Sequence, residues 1–260
     1  MKSLTGLIAA ASLAASTVHA ADKPTVVLVH GAFETSGVWQ GVEAKLEADG
    51  FTVVTPELPG RAGNPAAPDK VSLDAYRDTV SGVVAKAKGP VVLVGHSFGG
   101  IVISAVAEAN APRIKQLVYV AAYLPRNGES LLSLATSDAG AKIGPALTID
   151  KAHGIASVAP AARGELFANG APKAVQDAVS AAVIDEPLAP LATPVKLGAA
   201  FAKVPKSYVH TAFDQVVSPA LQARMVGATP VQTETTLQTG HTPFLTDVAG
   251  LVTAIEKAAQ

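Results

Sequence analysis

A strand that runs into a helix through a glycine-flanked serine is encoded by VVLVGHSFGG, residues Val91 to Gly100. The apolar residues at its start predict a buried strand, and the residues after Ser97 predict the start of a helix. Gly95 and Gly99 stand two positions before and after Ser97. Glycines there let the backbone turn sharply without side-chain clashes, so that the serine hydroxyl is exposed. The stretch therefore predicts a nucleophilic serine at the carboxyl end of a strand.

Strand-like and helical patterns alternate on both sides of this motif. Strands are predicted at Thr25 to Val29, Phe51 to Thr55, Val91 to Val94, Leu117 to Ala122, Tyr208 to Ala212 and Val231 to Leu237. Helices are predicted at Val38 to Ala48, Leu73 to Lys88, from near Phe98 to Asn110, and at Asp247 to Ala259. This alternation predicts an α/β fold with a mostly parallel central sheet. Continuous apolar strands indicate that helices cover both faces of the sheet.

The segment from about residue 126 to 203 has a different pattern. Its Ala-rich helical pieces are interrupted by glycine and proline, and it contains no convincing strand. We interpret it as a helical cap inserted into a domain that spans residues 21–260. Two ordinary crossover helices with long loops are the alternative, which is disfavoured because long structureless loops are uncommon in compact domains.

The first twenty residues have the pattern of a secretory signal peptide. Lys2 supplies a positive charge, Leu4 to Ala15 is apolar, and Val18 to Ala20 resembles a small-residue cleavage site. The apolar stretch is shorter than the ~20 residues of a membrane span. We expect export, to the periplasm or as a secreted protein, with residues 1–20 removed and no stable insertion into a membrane.

Composition excludes several classes of function. The chain is 49% hydrophobic, and 20 Lys and Arg against 21 Asp and Glu give a net charge of -1. This balance is not typical of a nucleic-acid-binding protein. Because the chain has no cysteine, thiolate nucleophiles and cysteine-type zinc sites are excluded. Dinucleotide and P-loop glycine patterns and metal-type histidine spacings do not occur either, so we expect neither a cofactor nor a metal.

A serine nucleophile needs donors that stabilise the oxyanion formed during acyl transfer. Ala32 follows His30 and Gly31 at the end of the first predicted strand, and its backbone N–H is one candidate. The second candidate is the N–H of Phe98, next to the nucleophile and at a helix N-terminus, where the helix dipole favours negative charge. We predict that these two N–H groups form an oxyanion hole.

The general base must be one of six histidines. Four are set aside because they lie in the signal segment, beside other motif residues or in the cap: His19, His30, His96 and His153. His210 lies inside a predicted strand, where a packed or hydrogen-bonded histidine is expected. His241 follows Gly240 in a loop after the last predicted strand, from which a base can reach Ser97. We predict His241 as the base.

An orienting acid is expected between the nucleophile and the base in chain order. The candidates are Asp138, Asp150, Asp177, Asp185 and Asp214. The first four lie in the cap, where solvated surface charges are usual. Asp214 ends the strand-like run before it and can accept the second N–H of His241. A loop or helix-capping aspartate before Val216 is the alternative role.

Together these residues resemble the α/β-hydrolase fold enzymes. The resemblance rests on the elbow at Gly95 to Gly100, the segment His30 to Ala32, and the chain order Ser97, Asp214, His241. Other features are similar to the small esterase branch that includes plant methylesterases and hydroxynitrile lyases: Val27 to Ala32, Trp39, Thr55 to Gly60 and Val120 to Pro125. The resemblance implies hydrolysis of a small carboxylic ester without a cofactor.

Departures from the family patterns narrow the range of reactions expected of this chain. Hydroxynitrile lyases of this branch carry a lysine where this chain has Thr242 and a threonine where it has Gly31, which disfavours cyanohydrin cleavage. Ser97 argues against the dehalogenases and epoxide hydrolases, which use an aspartate, and against the dienelactone hydrolases, which use a cysteine.

The prediction is a serine esterase whose partner is a small-molecule ester. Phe33, Tyr123 and Phe244 adjoin motif residues in sequence and are predicted to bind the substrate. Two alternatives stay open: a ligand-binding member of the fold that is slow or non-catalytic, and a peptidase or amidase with the same triad. The sequence leaves the substrate and the oligomeric state open.

Overall fold

The computed structural model describes residues 23–260, so the predicted signal segment lies outside the described residues. Its strands, in chain order, are β1 (Thr25–Val29), β2 (Val53–Val54), β3 (Val91–His96), β4 (Ile114–Val120), β5 (Leu147–Asp150), β6 (Ile155–Val158), β7 (Glu186–Pro187), β8 (Lys206–Thr211) and β9 (Thr233–Leu237). Six of them form a parallel sheet in the order β2-β1-β3-β4-β8-β9. The predicted parallel sheet is therefore confirmed.

The α-helices, in chain order, are α1 (Gln40–Ala48), α2 (Leu73–Lys86), α3 (Gly99–Asn110), α4 (Leu131–Thr136), α5 (Pro160–Ala168), α6 (Lys173–Ala182), α7 (Leu188–Ala192), α8 (Ala199–Lys203), α9 (Pro219–Ala228), α10 (Pro243–Thr246) and α11 (Val248–Ala259). Within residues 23–260, none of these helices has the length and apolar character needed to cross a bilayer.

Helices cover both faces of the sheet because alternate residues of its strands point to opposite sides. In β1, Val27 packs into a core with residues of α2 and α3, whereas its neighbour Val26 packs into a second core with residues of α1 and α11. The run Val91 to Val94 in β3 is buried on both sides. This arrangement confirms the predicted α/β fold class.

The segment between residues 126 and 203 contains α4 to α8 and a three-stranded antiparallel sheet in the order β5-β6-β7. The expectation that it lacks strands was therefore wrong. β5 and β6 form a hairpin that pairs Leu147 with Val158 and Asp150 with Ile155. Each strand is only two to four residues long, which is too short for alternation of apolar residues to stand out among the surrounding alanines.

Strained backbone marks one edge of the parallel sheet. Phe33 follows β1, Ser97 follows β3 and Ala121 follows β4, with φ angles of 65°, 51° and 46°. Among the described residues these are the non-glycine residues with positive φ. Left-handed backbone is unfavourable for such residues and persists where the surrounding structure holds it, often at functional sites. The carboxyl ends of three adjacent strands therefore form the candidate site.

Candidate active site

Ser97 lies on a tight turn between β3 and α3 that only glycines allow. A Cβ at Gly95 would lie 2.6 Å from the carbonyl oxygen of Gly99, and a Cβ at Gly99 would lie 2.6 Å from the carbonyl oxygen of Val29. The backbone N–H of Ser97 donates to the carbonyl of Val120 at 3.2 Å. The turn is thus held against β1 and β4, and it has the strand-turn-helix context predicted for the serine.

His241 and Asp214 meet beside this turn. The imidazole Nδ1 of His241 lies 2.8 Å from Oδ2 of Asp214, and both side chains are buried. The other carboxylate oxygen accepts the backbone N–H groups of Val216 at 2.8 Å and Val217 at 2.9 Å. Asp214 therefore organises its own loop and also accepts a hydrogen bond from the histidine, whereas the cap of the following helix α9 is Ser218.

The second nitrogen of His241 is free for proton transfer. Neither His241 Nε2 nor the Ser97 hydroxyl has a hydrogen-bond partner among residues 23–260. The ring of His96, the residue before Ser97, packs against the ring of His241 with centroids 4.6 Å apart. His241 thus lies next to the serine turn.

The loop after β1 presents an unpaired N–H group. The N–H of Gly31 donates to the Glu34 carboxylate at 2.7 Å, and the N–H of Phe33 donates to the Glu186 carboxylate at 2.9 Å. Between them, the N–H of Ala32 donates to no group of residues 23–260, and the same holds for the N–H of Phe98. Both residues are buried, and unpaired buried N–H groups are rare. Both N–H groups are therefore available as hydrogen-bond donors.

A buried ion pair between Glu34 and His96, which the sequence did not predict, supports the site. Oε2 of Glu34 lies 3.0 Å from Nδ1 of His96, and Nε2 of His96 lies 2.9 Å from the backbone carbonyl of His241. Both ring nitrogens face acceptors, an arrangement that favours the protonated form of the ring. Its partner was not foreseeable, since 62 residues separate the two.

The pKa values of this pair move toward the charged forms. Burial opposes ionisation of Glu34, but the charge of His96 and the hydrogen bonds from His96 and Gly31 lower the pKa of Glu34 below its usual value. Burial likewise opposes the charge on His96, yet Glu34 raises the pKa of His96 above its usual value. The site thus rests on a fixed internal ion pair.

An apolar cavity of about 490 Å³ lies between the loop after β1 and the residues that follow His241. Its lining combines the loop after β1, α10 and the cap helices, and includes Phe33, Phe167, Val175, Val179, Phe244 and Leu245. Thr242, the neighbour of His241, also lines it, whereas Ser97 and His241 do not. Two of the three predicted substrate-binding residues, Phe33 and Phe244, thus face this cavity. Tyr123 is not among its lining residues, and its N–H donates to the Ser97 carbonyl at 3.1 Å.

The histidines set aside have other partners. His30 is buried and accepts the N–H of Leu58 at Nε2, 3.2 Å away. His210 lies on β8 with its Nε2 2.9 Å from the Glu234 carboxylate. Among the described residues, no group of three or more histidine, aspartate or glutamate side chains is arranged to hold a metal ion.

The sequence of this fold matches a known family over nearly all of the described residues. The model of the alpha/beta hydrolase family matches residues 26–254. This chain belongs to the alpha/beta hydrolase family. The match includes Ser97, Asp214 and His241, and it confirms the resemblance noted in the sequence.

Relatives of this alpha/beta hydrolase include esterases. The carbendazim hydrolyzing esterase of Nocardioides sp. (strain SG-4G) is 40% identical over 111 residues, which cover 42% of this chain and 46% of that protein. Methylesterase 17 of Arabidopsis thaliana is 25% identical over 254 residues, 91% of each chain. A solved structure of an extracellular alpha/beta-hydrolase from a Paenibacillus species superposes with a TM-score of 0.76 at 25% identity, covering 90% of this chain and 98% of that one.

Proposed function

We propose that this protein is a serine carboxylesterase that hydrolyses small esters through an acyl-enzyme intermediate on Ser97. The observation that supports this most strongly is the meeting of three features at one sheet edge. These are the strained Ser97, the His241–Asp214 pair, and the unpaired N–H groups of Ala32 and Phe98. Ester hydrolysis is also the activity named for the Nocardioides and Arabidopsis relatives.

In the first half-reaction the Ser97 oxygen attacks the ester carbonyl carbon while Nε2 of His241 takes the hydroxyl proton. The carbonyl oxygen becomes an oxyanion that accepts hydrogen bonds from the N–H groups of Ala32 and Phe98. Asp214 accepts the Nδ1–H of His241 and stabilises the imidazolium. When the intermediate collapses, the bond to the alcohol oxygen breaks and His241 returns its proton to that oxygen, which leaves Ser97 acylated.

In the second half-reaction a water molecule replaces the alcohol. His241 takes a proton from the water as its oxygen attacks the acyl carbon, and the same two N–H groups hold the new oxyanion. Collapse breaks the bond to the Ser97 oxygen, and His241 returns the proton to that oxygen. The products are a carboxylic acid and the free serine.

The partner we propose is a small apolar ester. The cavity that includes Phe33 and Thr242 is lined mainly by aromatic and aliphatic side chains, and apolar pockets with few polar groups are typical of small-molecule sites. A cavity of about 490 Å³ falls within the range of roughly 300–1,000 Å³ seen for such sites.

The proposal is tested with p-nitrophenyl esters of rising acyl length, each matched to the corresponding anilide, on wild-type protein and on Ser97→Ala. An esterase turns over the esters much faster than the anilides, because an amine leaving group needs protonation by His241. Loss of turnover in a folded Ser97→Ala variant supports the serine mechanism. Turnover by the folded mutant would contradict it, and ligand binding without turnover by the wild-type protein would favour a non-catalytic member of the fold.

We also propose that the protein is exported and that residues 1–20 are removed. The Lys2 and Leu4 to Ala15 pattern supports this, and the related Paenibacillus hydrolase is described as extracellular. N-terminal sequencing of protein recovered from the periplasm or the medium of an expressing bacterium should give Ala21 as the first residue. Full-length protein confined to the cell interior would contradict the proposal.

A further inference from the structure

A carboxylate from the cap reaches into the loop that carries the Ala32 N–H group. Glu186 lies in β7, at the edge of the cap sheet, and is fully buried. One of its oxygens lies 2.9 Å from the N–H of Phe33 and 2.5 Å from the guanidinium of Arg61, and the other accepts the Tyr76 hydroxyl at 2.8 Å. One cap side chain thus holds the loop after β1 and, through Arg61 and Tyr76, the body of the domain.

Phe33, whose N–H group Glu186 accepts, is one of the three residues with strained backbone. Phe33 has a φ angle of 65°, a conformation that a phenylalanine keeps only where neighbouring groups hold it. Its N–H is bound by Glu186, and its carbonyl accepts the N–H of Ile184 at 3.1 Å. Nε of Arg61 donates to the next carbonyl, that of Glu34, at 3.2 Å. The cap segment from 184 to 186 therefore binds both the N–H and the carbonyl group of Phe33.

The direction of the Ala32 N–H depends on the residues that flank it. Gly31 is fixed by its N–H bond to Glu34 and Phe33 by its N–H bond to Glu186, so the Ala32 N–H between them is left unpaired in a fixed direction. A donor stabilises an oxyanion only when it is aimed beforehand at the place where the charge develops.

The stability of the fold does not by itself explain a glutamate at position 186. The side chains of Glu186 and Arg61 are both fully buried, and the loss of hydration opposes the attraction between two buried charges. Apolar residues of similar volume often serve as well or better in such places. The feature that an apolar residue cannot supply is an acceptor for the Phe33 N–H group.

We infer that Glu186 is a positioning residue through which the cap holds the Ala32 donor of the oxyanion hole in its working direction. The inference rests on the proposed function, because an oxyanion forms only if Ser97 attacks a carbonyl. Ester hydrolysis should then depend on a cap residue whose side-chain bonds go to Phe33, Arg61 and Tyr76 and not to Ser97.

The test compares Glu186→Asp and Glu186→Gln with wild-type protein. The aspartate keeps the charge beside Arg61 but withdraws the acceptor from Phe33 by one methylene, and the glutamine removes the charge. For each, kcat, KM and the inhibition constant of a trifluoromethyl ketone, which forms a tetrahedral adduct with the serine, are measured. The p-nitrophenol burst counts active sites, so that unfolded protein does not enter kcat.

We expect kcat of Glu186→Asp to fall about 10- to 100-fold, somewhat less than the roughly 10²–10³-fold loss for removing an oxyanion donor outright. KM should stay within twofold, and the ketone should bind more weakly by about the same factor as kcat falls. A general loss of stability would lower the burst amplitude, but kcat and the affinity for the ketone would not fall by the same factor.

Glu108→Asp is the matched control. Glu108 is a carboxylate on α3 that accepts the N–H groups of Gly198 and Phe201 at 2.8 and 2.9 Å, at the other end of the cap segment. Its shortening should leave kcat within twofold. If neither Glu186 variant folds, the double variant Arg61→Met/Glu186→Gln is measured in their place. It removes the guanidinium that loses its carboxylate partner when Glu186 is replaced.

The outcomes separate the two proposals. Wild-type kcat and ketone affinity in a folded Glu186→Asp variant would overturn the role of Glu186 while the serine mechanism stands, provided that Ser97→Ala is inactive. Absence of turnover in the wild-type protein, or turnover in Ser97→Ala, would overturn the proposed function instead.

Discussion

Glu34 accepts a hydrogen bond from Nδ1 of His96 at 3.0 Å, and this pair joins the two loops that carry the candidate donors and base. Oε2 of Glu34 also accepts the N–H of Gly31 in the loop after β1, while Nε2 of His96 donates to the carbonyl of His241. The loop of Ala32 and the loop of His241 are thus tied to one buried ion pair. The pair thus connects the two loops, and Glu34 also lines the apolar cavity.

This ion pair predicts a window of pH in which the fold gains most from it. The pKa of Glu34 is lowered in the folded state, so its contribution is complete above the unfolded value of about 4.3 and is lost as the pH falls through the lower folded pKa. The pKa of His96 is raised, so its contribution is complete below about 6.5 and is lost as the pH rises through the higher folded pKa. Both contributions are complete between about pH 4.3 and 6.5.

Glu34→Gln should therefore destabilise the protein most within that window. The free energy of unfolding in urea, measured for both proteins from pH 3 to 9, should show a difference that shrinks on either side. A difference that does not vary with pH would mean that the pair is not ionised in the folded state.

Asp214→Asn should lower kcat by about 10⁴-fold, the magnitude known for this change in a serine protease triad. The amide oxygen can keep the bonds to the N–H groups of Val216 and Val217, while its NH₂ group faces Nδ1 of His241. The proton of the imidazole then lies on Nε2, so this nitrogen cannot accept the proton of the serine hydroxyl.

The control for this change is Asp247→Asn. Asp247 accepts the N–H of Gly250 at the start of α11 and has no contact with the candidate triad, so kcat should stay within twofold. An Asp214→Asn variant with near wild-type kcat would remove Asp214 from the catalytic group.

Gly99→Ala should destabilise the protein because its Cβ would lie 2.6 Å from the carbonyl oxygen of Val29. Forcing α3 away from β1 should cost about 1–3 kcal/mol of unfolding free energy, as is typical of overpacked interiors. Gly227→Ala in α9 is the matched control, since a Cβ there meets nothing within 4 Å. It should stabilise the helix by up to about 1 kcal/mol. Urea unfolding of both variants tests this, and equal effects would contradict the close contact.

Val179→Trp should narrow the range of esters accepted. Val179 on α6 lines the apolar cavity, so a larger side chain should lower kcat/KM for p-nitrophenyl octanoate or for octyl acetate far more than for p-nitrophenyl acetate. Ala181→Trp, on the same helix but exposed and outside the lining, should change all three by less than twofold. A uniform loss across the three esters in Val179→Trp would indicate that the cavity does not hold the substrate.

The parts of the fold that depend on a short local stretch of sequence could be predicted. The β3-to-α3 turn follows from the need for glycine at positions 95 and 99, and the parallel sheet follows from its apolar strands. Asp214 and His241 could be chosen because chain order and strand ends place them at the same edge of the sheet.

The remaining features depend on contacts between distant residues. Glu34 and His96 are separated by 62 residues, and Phe33 and Glu186 by 153. No local sequence pattern predicts either pairing, because the partners are so far apart in the chain. The cap strands β5 to β7 are only two to four residues long and are held by pairing with one another, so each is too short for its own sequence pattern to predict it. Sequence adjacency also misled on the cavity, because Tyr123 follows the turn at Ala121 and is not among the residues that line it.

The role of Ser97 is tested most directly by trapping the acyl group on the protein. Wild-type protein and Ser97→Ala are mixed with p-nitrophenyl acetate, quenched with acid within the burst, and the intact mass and peptide masses are measured. A serine nucleophile at position 97 predicts one added acetyl group per wild-type molecule, carried by Ser97, and none on Ser97→Ala. Rapid turnover with no adduct on Ser97, or an adduct that forms at the same rate in Ser97→Ala, would contradict it.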